Sequence, residues 1–132
     1  MEYRVTIHTE PDATRAIMQA RRSAAAAGFD PARVSMLGTV ASELVRNILK
    51  FAGSGELVIR QLHKEDGARG LELVAIDRGP GIADVQKALM DNVSTAGTLG
   101  LGLPGAKRMM DEMQIDSVVG KGTTVMVRKW VT

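Results

Sequence analysis

Leu71-Glu72-Leu73-Val74-Ala75-Ile76 runs directly into Asp77-Arg78-Gly79-Pro80-Gly81-Ile82, and this junction decides how the rest of the chain is read. The first six residues are strand formers that follow a polar turn, Glu65-Asp66-Gly67-Ala68-Arg69-Gly70. The next six put a carboxylate at the end of the strand and two glycines in the turn behind it. A carboxylate there is costly unless it is paired or hydrogen-bonded. Glycines allow both a sharp turn and the close approach of a flat ligand. Two readings of Asp77 stay open: a cap for the turn that follows, or an acceptor for a donor on a planar base.

Outward from this junction, strands and helices follow in a regular order. Residues 3–8 alternate and read as a strand. Residues 9–27 read as a helix, with Thr9 as N-cap, Pro11 in the first turn and Gly28 as the stop. Asp30 and Pro31 open a second helix, and apolar residues at 34, 37, 40, 41, 44, 45, 48 and 49 keep the helical period to about Phe51. Residues 56–63 form a strand that makes a hairpin with 71–76. A short helix is expected over 84–90, a polar loop over 91–100, a helix over 101–113, and strands over 114–119 and 123–131. The order β-α-α-β-β-α-α-β-β predicts an α+β two-layer sandwich, with a mixed, largely antiparallel sheet and the helices on one face.

The 132 residues suit one domain. With 45% apolar residues but only one Trp, one Tyr and two Phe, the core must be aliphatic, with eight methionines as adaptable filler. The absence of cysteine excludes disulfides, thiolate metal sites and cysteine nucleophiles. A net charge of +2 with mixed signs gives no clustered basic face for nucleic acid. The N-terminus lacks the apolar core of a signal peptide, and no apolar run approaches the ~20 residues of a membrane span. The expectation is a cytoplasmic protein with no membrane partner.

Three further segments can carry chemistry. Glu43 and Asn47 lie four apart and share a helix face. A carboxylate and an amide so placed can offer oxygens to Mg²⁺, or the carboxylate can take a proton from an attacking hydroxyl. A solvent-facing pair is the alternative. Gly100-Leu101-Gly102-Leu103-Pro104-Gly105 matches G-x-G-x-x-G, but a polar loop precedes it where the dinucleotide fingerprint requires a strand. Its glycines and helix N-terminus still fit a phosphate cradle. Gly120-Lys121-Gly122-Thr123-Thr124 is either a plain hairpin turn or a source of a hydroxyl beside Asp77.

Taken together, these segments resemble the Bergerat-fold (GHKL) ATPases. Residues 43–47 are similar to that family's N box, 77–81 to its first glycine box, 97–105 to the second, and 122–124 to the third. Residues 42–47, 77–82 and 102–112, with Lys129-Trp130, are most similar to the small anti-sigma-factor-type serine/threonine kinases that act as stressosome switches. No histidine-bearing dimerisation helix or transducer domain is read, so a single ATP-binding kinase domain over 1–132 is expected.

The resemblance implies transfer of the ATP γ-phosphate to Ser/Thr of STAS-domain scaffold or antagonist proteins, with partner switching that activates a PP2C-type phosphatase. Its alternatives are an anti-sigma kinase that binds a sigma factor directly, or a non-catalytic nucleotide-gated binding module. By the match, Glu43 is the general base, Asn47 the Mg²⁺ ligand, and Asp77 the acceptor for the adenine amine. Gly79, Gly81, Ile82 and either Thr123 or Thr124 surround the base. Thr98, Leu99, Gly100, Leu101 and Gly102 support the phosphates, under a lid formed by 91–100.

Overall fold

Thr9 and Asp12 begin the first helix by satisfying each other's backbone. The Asp12 amide donates to the Thr9 hydroxyl, and the Asp12 carboxylate accepts the Thr9 and His8 amides at 3.1 and 2.9 Å. The computed structural model describes residues 1–84 and 102–131, and this first helix, α1, runs Glu10–Ala27. Its buried stripe is small: Ala13, Ala16, Ala20, Ala24 and Ala27 recur at helical spacing, so neighbouring elements can approach closely. The second helix, α2, runs Pro31–Asn47, capped by Asp30, whose carboxylate accepts the Arg33 amide at 2.8 Å. It buries Leu37, Val40, Ala41, Leu44 and Val45.

Five strands form one sheet: β1 (Glu2–Ile7), β2 (Gly55–His63), β3 (Arg69–Asp77), β4 (Glu112–Val118) and β5 (Gly122–Trp130). Their spatial order is β1-β2-β3-β5-β4, and every pairing is antiparallel. The sheet is therefore the largely antiparallel one expected, without a parallel pair among the described residues. Alternation along the strands sorts the side chains. Leu57, Ala75 and Val125 form one cross-strand row, and Ile59, Leu73 and Val127 the next. These rows carry the core on the face covered by α1 and α2. The other face carries Glu2, Arg60, Glu72, Arg128 and Glu112 in a single row.

Two boundaries differ from the sequence expectation. The second helix does not continue as α-helix to Phe51; Ile48–Ala52 forms a π-helical turn, closed by the Gly53 amide on the Ile48 carbonyl at 2.9 Å. The last helix, α3, spans only Gly102–Met109, and β4 begins at Glu112 instead of residue 114. Pairing with β5 captures this stretch: the Asp111 amide reaches the Arg128 carbonyl, and the Trp130 amide reaches the Asp111 carboxylate at 2.8 Å. The expected helix at 84–90 and loop at 91–100 lie outside the described residues, apart from Asp84.

Candidate functional site

One row of the sheet ends at the site. Gly55, Asp77, Thr123 and Ser117 stand opposite one another across β2, β3, β5 and β4. Above this edge lie the C-terminal part of α2 and the N-terminus of α3. Between them is a cavity of about 310 Å³, the size of a small-ligand pocket. Glu43, Leu44, Asn47, Ile48 and Phe51 line it from α2 and the π-helical turn. Asp77, Pro80, Gly81 and Ile82 line it from the β3 end, Gly102, Leu103 and Pro104 from α3, and Thr123 and Val125 from β5.

Asp77 caps the turn that follows it and also borders the cavity. Its Oδ1 accepts the Gly79 amide at 2.9 Å and the Thr123 amide at 3.2 Å, which caps the turn and ties it to β5. Among the described residues Oδ2 accepts no hydrogen bond, and the side chain borders the cavity. The glycines behind it are there for close packing of the chain on itself. A Cβ on Gly79 would lie 2.7 Å from that of Ala52, and Gly79 is not among the cavity-lining residues. Gly81 has φ +78° and is pressed against the Val118 carbonyl, so a side chain there meets both backbone strain and a clash.

Glu43 is only 6% exposed. Burial raises its carboxyl above the ordinary range; the Gly102 amide, which donates to it, and the positive charges of Arg46 and Lys50 offset part of that rise. A buried carboxylate on a cavity wall is within reach of a proton on a bound molecule. Asn47 lines the same wall one helical turn later. Arg46, between them in sequence, is exposed.

Of the residues expected at the site, Glu43, Asn47, Asp77, Gly81, Ile82, Gly102 and Thr123 meet around this cavity. Thr124 does not: it pairs with Ile76 and Asp116 on the opposite face of the sheet. Thr98, Leu99, Gly100 and Leu101 lie outside the described residues. Sequence reasoning passed over two residues. Phe51, 51% exposed at the rim, is aligned by the π-helical turn. Ser117 accepts the Ile82 amide at 2.6 Å and contacts the Thr123 hydroxyl at 2.9 Å; only the β4–β5 register could have revealed it. Among the described residues, no cluster of three or more His, Cys, Asp or Glu could hold a metal ion, and no helix is long and apolar enough to cross a membrane.

A sheet with helices on one face, and a cavity bordered by a buried Glu, an Asn one turn on and the Asp77-Arg78-Gly79 turn, is the architecture of an ATPase-like nucleotide domain. Residues 7–129 match the histidine kinase-like ATPase domain family, and the chain belongs to it. Within that class, it is 43% identical over 127 residues to serine/threonine-protein kinase RsbT of Bacillus subtilis (strain 168), covering 96% of this chain and 95% of that one. It is also 30% identical over 114 residues to an anti-sigma F factor of Caldanaerobacter subterraneus subsp. tengcongensis, covering 83% and 80% of the two chains. In fold it is similar to the structure of the RsbU and RsbW domains of Rv1364c from Mycobacterium tuberculosis. The TM-score there is 0.67 at 19% identity, over 100% of this chain and 33% of that one.

Proposed function

We propose that this protein is an ATP-dependent serine/threonine protein kinase of the partner-switching type. The observation that carries the reading is the buried Glu43 carboxylate in the wall of a cavity whose sheet edge presents Asp77. Binding alone needs no base. The acceptor hydroxyl gives its proton to Glu43 as its oxygen bonds to the γ-phosphorus, and the bond from that phosphorus to the bridging oxygen breaks to release ADP. General-base assistance of this kind is worth about 10²–10⁴-fold, while the rest of the acceleration comes from positioning and charge stabilisation.

Oδ2 of Asp77 takes the adenine amine, and Thr123 stands beside it. The amides at the N-terminus of α3 are placed to meet the phosphates. The Asn47 carboxamide is a hard neutral oxygen donor on the cavity wall, which fits Mg²⁺ with phosphate oxygens as the other ligands. Bound there, the ion would neutralise phosphate charge.

In this reading the acceptor hydroxyl belongs to another protein. Similarity to RsbT over nearly the full chain supports a STAS-domain scaffold as that acceptor and a PP2C-type phosphatase as the alternate partner. The similarity to anti-sigma F factors supports a second reading, in which a sigma factor is the alternate partner. Incubation with Mg²⁺-ATP and the STAS proteins encoded nearby, read by intact mass, tests the proposal. One added phosphate on a STAS protein, absent with Glu43→Gln, is the expected result. No transfer to any of them, with binding intact, would leave a non-catalytic module. A pull-down with phosphatase and sigma factor separates the two kinase readings.

A further inference from the structure

Arg46 stands between the two residues assigned to the chemistry, with Glu43 almost one turn before it and Asn47 next in sequence, yet it does not line the cavity. It is exposed, and its charge still reaches Glu43, where it works against the cost of burial. Lys50 follows one turn later, also exposed and outside the cavity lining, and its charge reaches Glu43 as well. The two cations form a ridge along the outside of the wall whose inner side holds the base. Like charges one turn apart repel each other. The helix dipole favours cations in a last turn, but it does so all round the helix and does not select the side next to Glu43. The Lys50 ammonium lies over the Phe51 ring, 5.3 Å from its centroid. Among the described residues Arg46 has neither an ion pair nor a side-chain hydrogen bond. A nucleotide meets Glu43 from within the cavity. An acceptor hydroxyl on a second protein has to come from solvent, past this ridge.

We propose that Arg46 selects the protein acceptor: its guanidinium pairs with a carboxylate beside the accepting Ser or Thr and so directs the hydroxyl to Glu43. This rests on the kinase reading above. A guanidinium suits the task because its planar fork holds a carboxylate in one orientation, where an ammonium supplies only a point charge. Lys50 adds to the positive field that draws an acidic segment in, and Arg46 fixes how that segment lies.

The test uses the STAS protein that accepts phosphate from wild type in the assay above, with initial rates giving KM for that protein and KM for ATP separately. Arg46→Gln should raise KM for the STAS protein about threefold to tenfold, and leave KM for ATP as in wild type. Its affinity for ADP by calorimetry should also be unchanged, which shows that the variant is folded. Arg46→Lys keeps the charge without the fork and should recover part of the loss. Added salt should raise the wild-type KM for the STAS protein more steeply than that of Arg46→Gln. Arg46→Glu should be the weakest of the three, and exchange of an acidic residue beside the accepting Ser or Thr for Arg should restore it. An unchanged KM for the STAS protein in Arg46→Gln overturns the proposal. So does an equal rise in KM for ATP, which would put Arg46 on the nucleotide phosphates. No transfer by wild type to any STAS protein would instead remove the kinase reading, and this proposal with it.

Discussion

At the scale of single residues, Glu43 ties function to a cost in stability. Its carboxyl binds a proton more tightly in the folded chain than in the unfolded one, because burial outweighs the Gly102 amide and the charges of Arg46 and Lys50. The stabilisation from that tighter proton is complete below the unfolded value near 4.5 and is lost as pH rises through the higher folded value. At neutral pH the folded state therefore carries an ionised group it disfavours. Glu43→Gln removes that penalty while keeping an oxygen for the Gly102 amide. Chemical denaturation should find the variant more stable than wild type at pH 7, with the gap closing in acid. Phosphoryl transfer by the variant should fall about 10²–10⁴-fold, and wild-type transfer should decline on the acid side as Glu43 gains its proton. An equal transfer rate in variant and wild type would remove Glu43 as the base.

At the scale of elements, pairing across strands decides what local pattern leaves open. The helix starts at Thr9 and Asp30, the hairpin of β2 and β3, and the junction at Asp77 were legible because capping residues, turn residues and alternation act locally. The end of α3 was not. Residues 111–113 suit a helix by composition, but their hydrogen bonds go to β5, a partner distant in sequence. The π-helical turn has no sequence signature of its own, and the packing of Ile48 against Gly55 accompanies it. Register also explains Glu72, a charged residue inside an apolar run. It is 1% exposed, and its two oxygens are bound by Arg60 at 2.8 Å and Arg128 at 2.6 Å from the flanking strands. Glu72→Ala leaves two guanidinium groups without their shared partner. Because both reach solvent, the loss should fall below that of a fully buried pair, at about 1–3 kcal/mol, measured by urea denaturation. A loss within a few tenths of a kcal/mol would show the row to be dispensable.

At the scale of the whole molecule, the site is a seam between two layers. One wall comes from α2 and α3, the other from the ends of β3 and β5, so a ligand in the cavity bridges elements that would otherwise separate on unfolding. All four segments singled out in the sequence reach it, at Glu43 to Asn47, Asp77 to Ile82, Gly102 to Pro104 and Thr123. Which of Thr123 and Thr124 faces the seam was beyond pattern reasoning, since adjacent strand residues differ only by the register that assigns them a face. Bridging predicts linkage. Nucleotide at about 100 times its Kd should add about 2.7 kcal/mol to stability, which for a domain of this size raises Tm by on the order of ten degrees. Glu43→Gln should show the full rise, because its change lies in proton transfer and not in holding the base. Asp77→Asn should fold, since the amide oxygen still caps the Gly79 and Thr123 amides, but it puts a donor where the adenine amine needs an acceptor. Its affinity should fall about tenfold to a hundredfold, and its Tm should respond correspondingly less at the same ATP concentration. Equal thermal shifts in Asp77→Asn and wild type, across a titration of ATP, would show that Asp77 serves the turn alone.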